Sequence, residues 1–168
     1  AESVTDPFGG DLRLHDRWIL ARLNRTTRQV NELLAEYEFY GVVQILYHFF
    51  WDDFCDWYIE LSKATVTAET DSPERNIARA RLISVLERSL RLLHPFMPYL
   101  TEELWQKLPV THSQLLHRAY AGAEPTIMLA SYPQCDDVLV DERSESEMQA
   151  VIDLVSRDSE KSPRVKGA

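Results

Sequence analysis

The run YHFFWDDFCDWYIELSK, from Tyr47 to Lys63, holds neither glycine nor proline and would set bulky apolar side chains around most of a helix. A helix that is apolar over most of its surface belongs in an interior, wrapped by other elements. The stretch from about Gly41 to Lys63 is therefore expected to be the central and most buried helix. Its stripe of Tyr47, Phe50, Phe54, Trp57 and Tyr58 is expected to be core.

Amphipathic neighbours for such a helix are easily found. From Leu12 to about Glu36, a helical period puts Ile19, Leu23, Val30 and Leu34 on one face and Arg17, Asn24, Arg25 and Arg28 on the other. Ser72-Pro73-Glu74 reads as a helix start, with proline in the first turn where its missing N–H is harmless. The helix it opens gathers Leu82, Ile83, Leu86, Leu90 and Leu93 on one side and Arg81, Arg88 and Arg91 on the other. It stops at His94-Pro95. A short helix from Pro98 to Leu108 should bury Leu100, Leu104 and Trp105, and a last one from Ser144 to Ser156 should bury Met148, Val151, Ile152 and Val155.

The expected fold is all-α, an antiparallel bundle of about five helices. Residues 1–11 form a lead-in linker and 12–157 the bundle, interrupted by a loop at 109–126 and an extended segment at 127–133. Within that loop a marginal helix is expected around Gln114 to Tyr120, and residues 158–168 read as a disordered tail. Short connections would bring the start of the first helix, the end of the second and the start of the third to one pole. Arg13, Arg17, Trp18, Trp57, Lys63, Arg75, Arg79 and Arg81 would meet there, with Asp16, Glu60 and Glu74 among them.

A net charge of −9 argues against indiscriminate binding of nucleic acid, which needs local positive charge. Residues 12 to 30 supply it locally: Arg13, Arg17, Arg22, Arg25 and Arg28 face the single acid Asp16. Cys55 and Cys135 are too few and too far apart for a disulfide framework or a metal knuckle. No run approaches the roughly eighteen apolar residues of a membrane span, and the N-terminal residues lack a signal-peptide pattern, so a cytoplasmic protein without membrane contact is expected. A chain that starts at Ala1 reads as an excised or processed piece.

Asp52, Asp53 and Asp56 spell DDFCD, a match to the DDxxD motif by which helical prenyl-diphosphate and terpene synthases hold Mg²⁺. On an α-helix, Asp52 and Asp56 would share a face one turn apart, as two oxygen ligands of one hard cation must. Against a metal stand the small size of the chain and the want of a second acidic motif on another long helix. The plainer expectation is carboxylates that are solvated or paired with neighbouring arginines. No histidine has an acid three residues before it, as a di-iron bundle requires, and His112 and His117 have no suitable company for zinc. No nucleophile elbow or phosphate loop is present, so the chain is expected to hold no catalytic residue, no metal and no cofactor of its own.

Four segments then form a pattern: DRWILARL (16–23), YHFFWDDFCDWYIELSK (47–63), LLHPFMPYLTEELW (92–105) and IMLASYP (127–133). Together they resemble the anticodon-binding domain of class I aminoacyl-tRNA synthetases for branched aliphatic amino acids. The FCDWYIE form, with His94 and Thr101, is more similar to the valine group than to the isoleucine or leucine groups. The resemblance implies an all-α bundle that follows a catalytic domain and contacts the tRNA anticodon arm. It also implies a parent that ligates valine to tRNA(Val) with ATP and Mg²⁺ and clears mischarged threonine at a separate editing domain. This chain holds no HIGH-like or KMSKS-like motif, so recognition is its implied task. Arg17 and Trp18 are the expected base contacts, because a half-exposed ring at the edge of the first helix could stack on an unpaired base. Arg25, Arg28 and Arg81 are the expected phosphate contacts. After Met148 the family typically continues with an arginine-rich helix into further C-terminal structure, whereas here the sequence turns to SRDSEKSPRVKGA, which reads as either a truncation or an artificial junction, with poor affinity expected in isolation. The other readings are a Mg²⁺-dependent diphosphate enzyme built on Asp52, Asp53 and Asp56, and a helical protein-interaction module.

Overall fold

The computed structural model describes Phe8 and residues 11–108, 126–136 and 139–161. Among these residues the architecture is helical: α1 (Leu14–Ala35), α2, α3 (Pro73–Leu93), α4 (Pro98–Gln106) and α5 (Glu142–Lys161), with a 3₁₀ turn at Ile127–Leu129. Helix α2 is continuous through three segments, Phe39–His48, Phe49–Ile59 and Glu60–Val66. Arg13, just before α1, reaches Thr65 near the end of α2 and Glu74 at the start of α3. So α2 runs antiparallel to α1, and α3 returns beside α1 in the same direction.

Local chemistry explains the boundaries. The Ser72 hydroxyl accepts from the Arg75 N–H at 3.2 Å and Pro73 takes the first helical position, so α3 begins where its sequence indicates. Helix α1 ends in a left-handed residue, Tyr37 at φ 61°. The Glu38 N–H closes on the Leu33 carbonyl at 2.9 Å and the Tyr37 N–H on that of Leu34 at 3.2 Å. Just beyond this turn a side chain at Gly41 would meet Leu33 Cδ1 at 3.2 Å, so glycine lets α2 start close against α1.

The middle segment of α2, Phe49–Ile59, is π-helical. Hydrogen bonds from i to i+5 widen the turn and shift which residues share a face. The core positions of α2 are Val42, Leu46, Phe49, Phe54 and Tyr58, with a step of five from Phe49 to Phe54 where an α-helix would need three or four. The expected stripe is corrected accordingly. Phe54 and Tyr58 are core, Phe50 and Trp57 pack against it, and Tyr47 is turned out at 57% exposure, as is Trp51 at 50%. Helix α2 is therefore buried along one flank, and not over most of its surface as expected.

Trp18, Ile19, Leu23 and Val30 of α1 meet that flank, with Val85 and Leu92 of α3 and Met148 of α5 completing the core. A smaller cluster of Leu90, Trp105 and Ile127 secures α4 and the 3₁₀ turn. Two further expectations are corrected. In α4 the inward residues are Thr101 and Trp105, while Leu100 and Leu104 are exposed; in α5 Met148 is buried and Ile152 packs on the core, but Val151 and Val155 are exposed. The segment expected to be extended at 127–133 opens with the 3₁₀ turn and is extended only from Ala130. It is tied across the bundle by Tyr132 Oη donating to the Leu92 carbonyl and Asn31 Nδ2 to that of Pro133. Helix α5 runs to Lys161, past Ser156 and into the segment read as tail. Most of the lead-in, the loop at 109–125 with its marginal helix, and residues 162–168 lie outside the described residues.

Candidate nucleic-acid interface

At the pole where α1 and α3 begin and α2 ends, the cations gathered by sequence do meet, and they meet acceptors. Arg13 bonds Thr65 and Glu74, Arg79 Nε donates to the Val66 carbonyl at 2.9 Å, and Arg75 donates to the Ala68 and Glu69 carbonyls and to Asp71. Beneath them lies Asp16, buried at the start of α1. One of its oxygens accepts from Arg81 Nη1 at 2.8 Å and the other from Tyr58 Oη at 3.0 Å. Burial, and behind it the Asp16 anion, pushes the Tyr58 hydroxyl far above its ordinary pKa. Burial also pulls His15 below its usual value, with Arg13 and Arg81 acting in the same direction and Asp16 opposing them.

Arg81, expected on a phosphate, is thus corrected: it is 8% exposed and paired inside the bundle. Because α3 lies alongside α1, its polar face meets the one acid of the α1 row, and a buried carboxylate without a cation would be costly. Trp18 is corrected too. It is 3% exposed and belongs to the core, because α5 packs over the edge of α1 where the ring was expected to reach solvent.

The outward row of α1 faces α5 as a seam of ion pairs. Arg17 approaches Asp141 at 3.8 Å and Glu147 at 3.7 Å. Arg22 Nε donates to Asp53 at 2.8 Å, with Glu145 3.8 Å from its Nη1, and Arg25 donates twice to Glu145 at 3.1 and 3.0 Å. Burial pushes the Asp53 carboxyl up against the pull of Arg22. A mixed-charge cleft of about 730 Å³ opens along this seam, with Trp18 among its lining residues. Arg17 and Arg25 stay partly exposed and Arg28 is exposed.

The Asp52, Asp53 and Asp56 motif separates. Asp53 turns inward to Arg22, Asp52 lies 2.8 Å from His48 Nδ1, and Asp56 is exposed. Among the described residues no three His, Cys, Asp or Glu side chains gather to hold a metal, and no helix is long and apolar enough to cross a membrane.

A second cleft, of about 310 Å³, lies between α1 and α3, with Ser131 to Gln134, Asp136 and Leu139 along it. Asn24 clamps that segment: its Nδ2 donates to the Asp136 carbonyl and its Oδ1 accepts from the Asp136 N–H at 2.8 Å. Arg88 and Arg91 line the cleft. Arg91 donates to the Ser131 carbonyl and to Glu87, yet its Nε is buried without a partner. Arg88 is exposed on the same helix, one turn earlier. The sequence places both on the polar face of this helix together with Arg81, but spacing alone gives no reason to prefer them over Arg81.

The family model of the anticodon-binding domain of tRNA ligase matches residues 16–160. Among curated proteins, a valine–tRNA ligase of Thermotoga maritima is 46% identical over 145 residues, covering 86% of this chain and 15% of that protein. A valine–tRNA ligase of Staphylococcus saprophyticus is 43% identical over 148 residues, covering 88% and 15%. One of Staphylococcus carnosus is 41% identical over 145 residues, covering 86% and 15%. The chain thus spans about 15% of the length of the curated relatives it matches.

Proposed function

The chain belongs to the family of anticodon-binding domains of tRNA ligases, and from that premise we propose that it recognises the anticodon arm of tRNA(Val) as part of a longer valine–tRNA ligase. The observation that carries this reading is identity of 41–46% to valine–tRNA ligases across nearly the whole bundle. The ligation of valine, with its ATP and Mg²⁺, belongs in this reading to a catalytic domain elsewhere in the longer cytoplasmic protein, and this domain contributes recognition alone.

Physical chemistry then divides the arginines. A guanidinium already saturated inside the fold cannot neutralise a phosphate without leaving a buried carboxylate behind, which removes Arg81. Exposed ion pairs are weak and exchange readily for a phosphate, so Arg17 and Arg25 stay available at the edge of the seam. Arg28 and Arg88 are the more exposed of the set. These groups would hold backbone phosphates, while base reading falls to polar groups of the α1–α3 cleft.

Titration of the chain with anticodon stem-loops of valine and phenylalanine tRNAs at low salt tests the proposal. The valine stem-loop is expected to bind more tightly, with affinity that declines as salt rises. Equal affinity for the two would overturn the reading.

A further inference from the structure

On the side of α2 away from the arginine seam, α2, α3 and α4 enclose a groove of about 450 Å³. Val43, Tyr47, Trp51, Met97, Leu100 and Leu104 line it and are all exposed. Among the described residues no charged one lines it. Its one short polar side chain, Thr101, is occupied by His94 Nδ1 at 2.8 Å and by the Met97 carbonyl at 2.9 Å. Apolar exposure continues beyond the groove at Tyr40, one turn before Val43, and at Tyr99, beside Leu100. A contiguous apolar patch of this kind marks a surface that something covers.

We propose that the groove docks another part of the same longer polypeptide, an uncharged apolar ridge such as a helix face or a loop. This rests on the reading that the domain works within a longer ligase. About 15% of each relative's length matches this chain, so most of the polypeptide lies outside it and can supply the ridge. RNA fits the groove poorly, because its phosphates need cations and no cationic side chain lines the groove among the described residues. A second copy, paired groove to groove about a two-fold axis, is the rival occupant, and the dependence of protection on the concentration of the short chain distinguishes it. Docking through α2 and α4 would fix the domain against its partner on rigid helices and leave the α1–α3 cleft and its arginines open to tRNA.

Hydroxyl-radical footprinting reads side-chain exposure directly. Modification of Tyr47, Trp51 and Met97 is compared between the 168-residue chain and the longer polypeptide, with Met128 and Tyr37 as reference side chains. The proposal expects several-fold slower modification of the three groove residues in the longer polypeptide, reversed by Leu104→Glu. Equal rates in both would overturn it. Protection in the short chain that grows with its own concentration would overturn it in favour of self-association, and protection that requires the stem-loop would do so in favour of RNA. Stem-loop binding by the short chain is measured alongside. If it persists while the footprint is unchanged, docking alone fails; if it is absent while the groove is protected, the tRNA reading fails and docking stands.

Discussion

The α1–α5 seam and the α2–α4 groove invert the usual placement of charge and oil. In the seam, Arg17, Arg22 and Arg25 meet Asp53, Asp141, Glu145 and Glu147 and are largely satisfied within the fold. In the groove, Tyr47, Trp51 and Leu100 are exposed and none of the described residues covers them. A row of arginines is thus no measure of nucleic-acid contact until its carboxylate partners are counted, and an aromatic stripe is no measure of burial until its register is known. The charged side ties α5 to α1, and the apolar side is the one that stays exposed among the described residues.

The comparison breaks most easily at its buried end. Arg81→Ala leaves the Asp16 carboxylate buried and unpaired, and chemical denaturation should show a loss of about 3–5 kcal/mol. A loss near zero would mean that the pair is solvated and that Arg81 is free to serve RNA after all. Next in size is Glu145→Gln, which weakens the bonds from Arg25 and the contact with Arg22. Stability should fall by about 1–3 kcal/mol. Affinity for the stem-loop should be unchanged or higher, since the substitution frees cations; a fall would show that the seam does more than hold α5 in place.

A smaller effect is expected from His15. Its pKa is depressed in the folded state, so below the ordinary value of 6.5 the unfolded chain binds the proton more readily. Its contribution to stability is complete above that pH and declines as pH falls towards the folded value. Stability followed between about pH 7 and 5 should therefore drop more steeply for the parent chain than for His15→Gln, and parallel curves would contradict this.

Much of the bundle is legible in the sequence because its helix ends are chemically explicit. Ser72-Pro73 and His94-Pro95 bracket α3 at both of its observed ends. The amphipathic face of α1 likewise predicts the core positions of Ile19, Leu23 and Val30. What stays hidden depends on partners and register. The π-helical turn moves Phe49 into the core and Tyr47 out of it, and no α-helical period reproduces that. Trp18 is an edge residue on an isolated α1 and becomes interior only once α5 lies over it. Arg81 shares a polar face with Arg88 and Arg91, and only the parallel neighbour α1 decides which of the three meets Asp16. One signal was present: Asp16 is the single acid in the basic stretch from 12 to 30, and an isolated acid among arginines invites a buried partner.

The most direct measurement is the salt dependence of stem-loop binding by the parent chain, by a chain carrying Arg28→Ala with Arg88→Ala, and by Glu145→Gln. If Arg28 and Arg88 hold phosphates, the double variant should lower the slope of log affinity against log salt by about two, one for each arginine withdrawn from a phosphate. Glu145→Gln should leave that slope unchanged or steeper. A double variant that binds with the affinity and salt slope of the parent chain would contradict the account.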